Sequence, residues 1–196
     1  MKRRIIIGLL LLAAMNMAAQ VKLAPLFGDG MVLQRQCTVK IWGKAAPGTQ
    51  VSIGLPWTKT ASRASVAADS TWTATFATPE AGGPYELTIT QGKHRKIIKN
   101  VLIGEVWLCS GQSNMEMPIK GYEGQPVDGS IDAVATAKES VPIRIFDSDF
   151  VDGKLCVQYS RRPKDEIYGR WKTNAPENVA NCSATAYYFA RYLQNV

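Results

Sequence analysis

Short segments in which apolar and polar residues alternate fill the sequence from residue 21 to about residue 102. Alternation with a period of two puts successive side chains on opposite faces of a strand, so one face is buried and the other is solvated. The clearest segments are TWTATFA and YELTI, whose expected buried residues are Trp72, Ala74, Phe76, Tyr85, Leu87 and Ile89. The pattern predicts a β-sandwich domain over residues 20–102, with strands at residues 38–42, 50–55, 60–67, 71–77, 85–90 and 96–103.

The run GEVWLCSGQSNMEMP at residues 104–118 holds the strongest functional signal. Its apolar block predicts a buried strand over residues 106–109, closed by a sharp turn at Ser110 and Gly111. Ser113 is then expected just past the carboxyl end of that strand, exposed to a cleft, where its hydroxyl is a nucleophile and its backbone N–H an oxyanion donor. The second glycine of the GxSxG nucleophile elbow is missing, which excludes that motif.

The same run resembles the first sequence block of the sialate O-acetylesterase family, within the SGNH-hydrolase superfamily. Further stretches extend the resemblance in the expected order: LAPLFGDGMVLQR at residues 23–35, AGGPYELTI at residues 81–89 and NCSATAYYFARYL at residues 181–193. The resemblance implies that Ser113 is the catalytic nucleophile. It also implies that Gly111 provides the tight turn, while Gln112 and Asn114 hold the turn or line the pocket.

Residues 103–196 are interpreted as the N-terminal half of an α/β hydrolase domain, of the flavodoxin-like three-layer SGNH type that the resemblance implies. A helix is expected at residues 131–138, followed by a second parallel strand at residues 143–146 and a polar lid or insert at residues 149–173. The last helix is expected to begin at the N-cap Ser183, with a buried face formed by Ala186, Phe189, Ala190 and Leu193.

A serine hydrolase needs a general base, and this sequence has one histidine. His94 is flanked by Lys93 and Arg95, and it is interpreted as a solvated turn residue. The resemblance implies that the histidine, its acidic partner and the other oxyanion donors come from later blocks that this sequence does not contain. The chain is therefore interpreted as a fragment or a truncated gene product.

The cysteines predict no metal site, because their spacing does not fit a zinc motif: Cys37, Cys109, Cys156 and Cys182. Cys109 is expected to be a buried free thiol, and the disulfide pairing is left open. No phosphate-binding loop or other cofactor motif is present in the sequence, so no cofactor is expected.

The first 19 residues are interpreted as a signal peptide, because Lys2, Arg3 and Arg4 precede an apolar core and small residues. Export to the periplasm or the extracellular space is expected, and a retained membrane anchor is the less favoured alternative because the apolar run is short. Removal of the three basic residues leaves 20 basic and 16 acidic residues, a net charge of about +4. Because the charge is small and no aromatic residues lie between the basic ones, a nucleic-acid partner is not expected. The oligomeric state is left open.

Two functions follow from these observations. The first is a carbohydrate esterase that uses Ser113 to remove O-acetyl groups from sialic acid or related acetylated sugars. The alternative is a non-catalytic carbohydrate-binding or interaction module, in which the β-sandwich does the binding and the esterase half is a vestige.

Overall fold

The computed structural model describes residues 20–147, 150–151, 154–155, 167 and 169–194. The predicted signal peptide, Cys156 and most of the predicted insert lie outside the described residues. The first part of the chain forms two β-sheets, and the second part combines short helices with two-stranded ladders.

The smaller sheet has three strands in the order β1-β3-β6: β1 is Lys22–Leu23, β3 is Thr38–Lys44 and β6 is Thr71–Ala77. The larger sheet has the order β2-β8-β7-β4-β5 and contains β2 (Val32–Gln34), β4 (Gln50–Gly54), β5 (Ser62–Ser65), β7 (Gly82–Gln91) and β8 (His94–Gly104). Strands β2 and β8 are parallel, and the other neighbours are antiparallel. Each strand predicted before residue 104 is present, and β1 and β2 are additional short strands.

The alternating pattern correctly identified the buried face of the predicted strands. Trp72, Phe76, Leu87 and Ile89 are buried in one hydrophobic cluster to which both sheets contribute, whereas the intervening residues of β6 are exposed. Tyr85 is only half-buried, which the pattern did not predict. The ladder between β7 and β8 shifts register on both sides of Tyr85, so the strict period of two is interrupted there.

The second part of the chain contains helices α1 (Ser113–Glu116), α2 (Ser130–Ala135), α3 (Pro176–Val179) and α4 (Ala184–Leu193). It also contains β9 (Arg144–Phe146), the hairpin of β10 (Phe150–Val151) with β11 (Lys154–Leu155), and β12 (Trp171–Thr173). Helix α2 and strand β9 match predicted elements. In the described residues, no helix has the length and hydrophobicity needed to span a membrane.

Strand β9 was predicted to join a parallel sheet, and this pairing is wrong. It pairs antiparallel with β12, which lies inside the segment predicted to be an irregular insert. Trp171 of β12 is held in place by its indole N–H, which donates to the carbonyl of Leu26 at 2.8 Å. A partner 145 residues away in sequence cannot be read from local periodicity.

Helix α4 begins as predicted, because the Ser183 hydroxyl accepts a hydrogen bond from the backbone N–H of Ala186 at 3.3 Å. Its predicted buried face is wrong. The helix buries Ala184 and Tyr187, while Phe189 is 39% exposed. The hydroxyl of Tyr187 donates to the side-chain oxygen of Asn174 at 2.9 Å, and this buried bond turns that side of the helix inward.

Candidate active site

The motif of residues 104–118 leaves the larger sheet at Gly104, and the side chains of the last residue of β2 and of the residue after it bind Glu105. The Arg35 Nε donates to one carboxylate oxygen of Glu105 at 2.6 Å, and the Gln34 amide donates to the other at 2.8 Å. The Gln34 side-chain oxygen also accepts the backbone N–H of Val106 at 2.8 Å. Hydrogen bonds from Gln34 and then from Arg35 keep the pKa of the Glu105 carboxyl below its usual 4.5.

Residues 105–111 form neither a strand nor a helix, so the predicted buried strand at residues 106–109 is wrong. Leu108 is 94% exposed, and Trp107 is 59% exposed. Cys109 is an exposed free thiol and not the buried one that was expected. A strand requires a neighbour for its hydrogen bonds, and within the part of the chain that the structure describes no strand pairs with this segment.

Ser113 is the first residue of the single turn α1, and it is exposed. The turn closes through the carbonyl of Gln112, which accepts from the backbone N–H groups of Met115 and Glu116 at 2.9 and 3.0 Å. Among the described residues, neither the hydroxyl nor the backbone N–H of Ser113 has a hydrogen-bond partner. Both groups are therefore free to contact a ligand.

Gly111 lies close to a neighbouring side chain in this turn, and its backbone is not left-handed. A Cβ at this position would lie 3.1 Å from the Cβ of Met115, which is tighter than most contacts of this kind. The resemblance implied that Gly111 provides the tight turn, and the structure identifies the group that it must avoid.

The turn rests on the start of α4. The Thr185 hydroxyl donates to the carbonyl of Asn114 at 3.0 Å, and the Ser183 hydroxyl donates to the Met115 sulfur at 3.3 Å. Beyond the turn, the backbone N–H of Ala184 donates to the carbonyl of Met117 at 2.8 Å. The turn that carries Ser113 is thus fixed to a helix that lies about seventy residues further along the chain.

A cleft of about 2290 Å³ opens beside the motif. Gly111, Gln112 and Ser113 line it, as do Gly82 and Gly83 at the start of β7. Asn114 does not line the cleft; its carbonyl holds the turn onto α4. Of the expected site residues, three therefore face the cleft and the fourth has a structural contact.

No histidine lies at this cleft. His94 is exposed at the first position of β8, and the far end of that strand, Gly104, is roughly 30 Å away at the usual rise per residue. In the described residues, no group of three or more histidine, cysteine or acidic side chains is arranged to hold a metal ion. Burial raises the pKa of the Cys182 thiol to about 12, so this thiol is not a nucleophile at neutral pH.

The sequence analysis did not identify the residues whose side chains bind the motif: Gln34, Arg35, Ser183 and Thr185. The first two lie in the stretch at residues 23–35 and the last two in the stretch at residues 181–193, both of which carry the family resemblance. Their position in stretches that carry the resemblance was the signal that could have identified them. That these stretches contact residues 104–118 is visible only in the folded chain.

Similar proteins are known. The chain is 34% identical to the sialate O-acetylesterase of Homo sapiens over 125 residues, which is 59% of this chain and 24% of that protein. It is 27% identical to the sialate O-acetylesterase of Mus musculus over 203 aligned residues, 95% of this chain and 36% of that protein. The solved structure of a carbohydrate acetylesterase from Xanthomonas citri matches with a TM-score of 0.78 and 28% identity, over 89% of this chain and 37% of that chain.

The chain is similar to part of the sialate O-acetylesterases and of a carbohydrate acetylesterase of known structure. No family model matches it. It spans only about a quarter to a third of the length of the curated relatives that it matches. The structural match and the mixed sheet fit an α/β-hydrolase-like fold.

The stretches at residues 23–35, 81–89 and 181–193, which carry the resemblance, contact the motif of residues 104–118 or the residue just before it. Arg35 and Gln34 hold Glu105, Gly82 pairs with Ile103 just before the motif, and Ser183 contacts Met115. Separate stretches of the sequence therefore support the one turn that presents Ser113.

Proposed function

We propose that this chain is the nucleophile-bearing part of a carbohydrate esterase that removes O-acetyl groups from sialic acid or a related acetylated sugar. The observation that carries the proposal is Ser113 itself, exposed at a cleft with its hydroxyl and backbone N–H unpartnered among the described residues. The turn is held at both ends, by Gln34 and Arg35 through Glu105 and by Ser183 through Met115. Such support keeps a nucleophile in one geometry.

In the proposed reaction, the Ser113 oxygen attacks the acetyl carbonyl carbon while a general base takes the hydroxyl proton. The carbonyl oxygen becomes an oxyanion, to which the backbone N–H of Ser113 donates a hydrogen bond. The bond to the sugar oxygen then breaks, and the sugar leaves with the proton from the base. Water attacks the acetyl-serine in the same way, which releases acetate and restores the Ser113 hydroxyl.

The base and its acidic partner are proposed to come from outside these 196 residues, as the family resemblance implies. The sequence contains one histidine, and His94 does not line the cleft. The relatives are about three to four times as long as their matched portions, so they have room for such a block.

We further propose that residues 20–102 form a β-sandwich domain and that residues 103–196 are part of an SGNH-type domain. The single hydrophobic cluster shared by the two sheets supports the sandwich, and a second buried cluster around Ile119, Val179 and Tyr187 supports a separate second unit. The basic and then apolar character of the first 19 residues supports export to the periplasm or beyond.

The test is a chimera in which this chain replaces the matched 37% of the Xanthomonas citri acetylesterase. Acetate release from an O-acetylated sialic acid and from an acetylated neutral sugar is compared between the chimera and its Ser113→Ala variant. We expect turnover with at least one substrate and a loss of about 10³-fold or more in the variant.

Circular dichroism and thermal melting of both chimeras show whether each is folded. Asn114→Ala serves as a matched control, because its side chain does not line the cleft and should retain most of the activity. A folded chimera whose turnover does not depend on Ser113 contradicts the proposed nucleophile.

A further inference from the structure

A second pocket, of about 450 Å³, lies between the two sheets of the first part of the chain. It is formed by β1, at the edge of the smaller sheet, and by the first residues of β8 in the larger one. A volume of this size is in the range of pockets that hold a small organic ligand. None of its lining residues also lines the cleft beside Ser113. They are Gln20, Val21, Lys22, Leu23, Arg95 and Lys96.

The pocket is cationic. Three of its six lining residues carry a positive charge and none is acidic: Lys22, Arg95 and Lys96. In the part of the chain that the structure describes, these three side chains form no ion pair. The Arg95 guanidinium donates to the Thr88 hydroxyl at 3.4 Å, a long bond that uses a single one of its N–H groups. Unpaired cations around a concave surface attract anions to it.

The pairing of β1 with β3 places another positive charge beside the pocket. Lys22 lies directly opposite Lys44 in the antiparallel ladder. Like charges in this position repel each other, and a bound anion would offset the repulsion. Asp69 attracts Lys44 from the turn before β6, but it does not line the pocket. The electrostatic environment of the pocket therefore favours an anionic ligand.

The register of β8 determines where the Lys96 side chain begins. Lys96 lies on the same face of the strand as Ile98 and opposite Ile89, and both isoleucines are buried in the shared core. Lys96 itself is exposed, so it stands where the row of core residues reaches solvent. A lysine in this position covers apolar surface with its stem and extends its ammonium group into water. The charge is thus presented at the mouth of the pocket by a paired strand.

The wall of the pocket also has an apolar part. Val21 is buried in the core, and Leu23 is packed against it. A bare inorganic anion gains nothing from apolar surface, whereas the C–H groups of a sugar ring are partly removed from water there. The Gln20 amide has both a donor and an acceptor for sugar hydroxyl groups. Charge, apolar wall and amide together fit an acidic sugar better than a phosphate ion.

We propose that this pocket is a second carbohydrate site, which binds the carboxylate of an acidic sugar of the sialic acid class. Lys22, Arg95 and Lys96 bind the carboxylate, and the apolar wall contacts the ring. The site would hold the protein on acidic glycans whether or not an ester reacts at Ser113. The inference rests on the proposed function for its class of sugar, but it concerns binding and not turnover.

The experiment titrates the purified chain with N-acetylneuraminic acid and, separately, with its methyl ester, and follows the backbone amides by NMR. The methyl ester keeps the sugar ring and removes the negative charge. We expect the acid to shift the amides of Lys22 and Lys96 and to bind at least about ten-fold more tightly than the ester. Added salt should weaken binding of the acid, because the attraction is between charges near the surface.

Two double variants show whether the lining charges are responsible. Lys22→Gln combined with Lys96→Gln should weaken binding of the acid at least about ten-fold. Lys59→Gln combined with Lys93→Gln is the matched control, since it removes the same two charges from exposed lysines that do not line the pocket. The control should bind as wild type does. Thermal melting of each variant shows that it is folded.

No binding by the folded chain, equal binding of the acid and its methyl ester, or equal losses in the two double variants would each overturn the inference. Inorganic phosphate that displaces the acid at equal concentration would overturn it too, because the pocket would then accept any anion. Amide shifts confined to the Ser113 cleft would place the sugar there instead. Binding at the pocket without Ser113-dependent turnover of the chimera supports the inference and contradicts the proposed function, and turnover without such binding does the reverse.

Discussion

At the scale of single residues, the contacts of Glu105 determine how the motif begins. Its carboxylate accepts from Gln34 and from Arg35, and both bonds favour the ionised form, so its pKa is lowered from 4.5. A lowered pKa means that these contacts are fully present above the ordinary pKa and are lost as the pH falls through the lower, folded-state pKa. The start of the motif should therefore loosen only in acid.

We predict that NMR titration of the Glu105 carboxyl gives a midpoint below 4.5. Gln34→Ala should raise that midpoint most, because the Gln34 bond is the largest cause of the shift, and Arg35→Ala should raise it less. Lys93→Ala is the control for Arg35→Ala: it removes the same charge from the turn before β8 and should leave the midpoint unchanged. An unaltered midpoint in Gln34→Ala would show that the two side chains do not interact in solution.

Gly111 allows a second prediction at the same scale. Gly111→Ala places a methyl group 3.1 Å from the Cβ of Met115, whose sulfur is held by Ser183. Because that neighbour is held, we expect faster hydrogen exchange of the Met115 and Glu116 amides, by roughly ten-fold for a cost of about 1 kcal/mol. Gly28→Ala is the control, since no atom lies within 4 Å of its added Cβ. Equal exchange in the two variants would show that the turn has room at Gly111.

At the scale of elements, strand β6 gives the strictest test of register. Trp72 is 2% exposed, whereas Thr73, the next residue, is exposed. Trp72→Ala should lower the free energy of unfolding by about 3–5 kcal/mol, because it leaves a cavity in the core that both sheets share. Thr73→Ala should cost less than about 1 kcal/mol.

Urea denaturation followed by circular dichroism measures both costs. The indole N–H of Trp72 is buried and has no hydrogen-bond partner among the residues that the structure describes, so Trp72→Phe should cost clearly less than Trp72→Ala. A larger loss in Thr73→Ala than in Trp72→Ala would mean that the opposite face of β6 is buried.

At the scale of the whole molecule, the proposed reaction requires a general base from outside these 196 residues, so the chain by itself should be nearly inactive. General-base assistance contributes about 10²–10⁴-fold and an oxyanion donor about 10²–10³-fold, so Ser113 and its own N–H retain little of the acceleration. We predict that the purified chain releases acetate from O-acetylated sialic acid hardly faster than its Ser113→Ala variant. Turnover near that of a complete esterase, abolished in Ser113→Ala, would reveal a base within these residues.

Much of the first part of the fold was predictable because strands carry a local signal. In β6 the side chains of Trp72 and Phe76 alternate with threonines, and a period of two holds whatever the neighbouring strand is. The prediction failed at Tyr85, where irregular pairing with β8 interrupts the period. The start of α4 was predictable for the same reason, since Ser183 caps a helix by bonding to a residue three positions away.

The sequence indicated which residues form the candidate site, but it did not predict the conformation of the segment that leads to them. Ser113, Gly111 and Gln112 line the cleft, but the apolar block before them is not the buried strand that the run of residues 104–118 predicted. The composition of residues 106–109 favours a strand. The prediction failed because a strand forms only when another segment supplies its hydrogen bonds.

The sequence by itself determined the strands before residue 104 and the cap of α4, because each depends on residues close together in the chain. Only the tertiary structure decided that Gln34 and Arg35 hold Glu105, that β9 pairs with β12, and that α4 buries Tyr187. Contacts of this kind join residues far apart in sequence, and their partners depend on how complete elements pack.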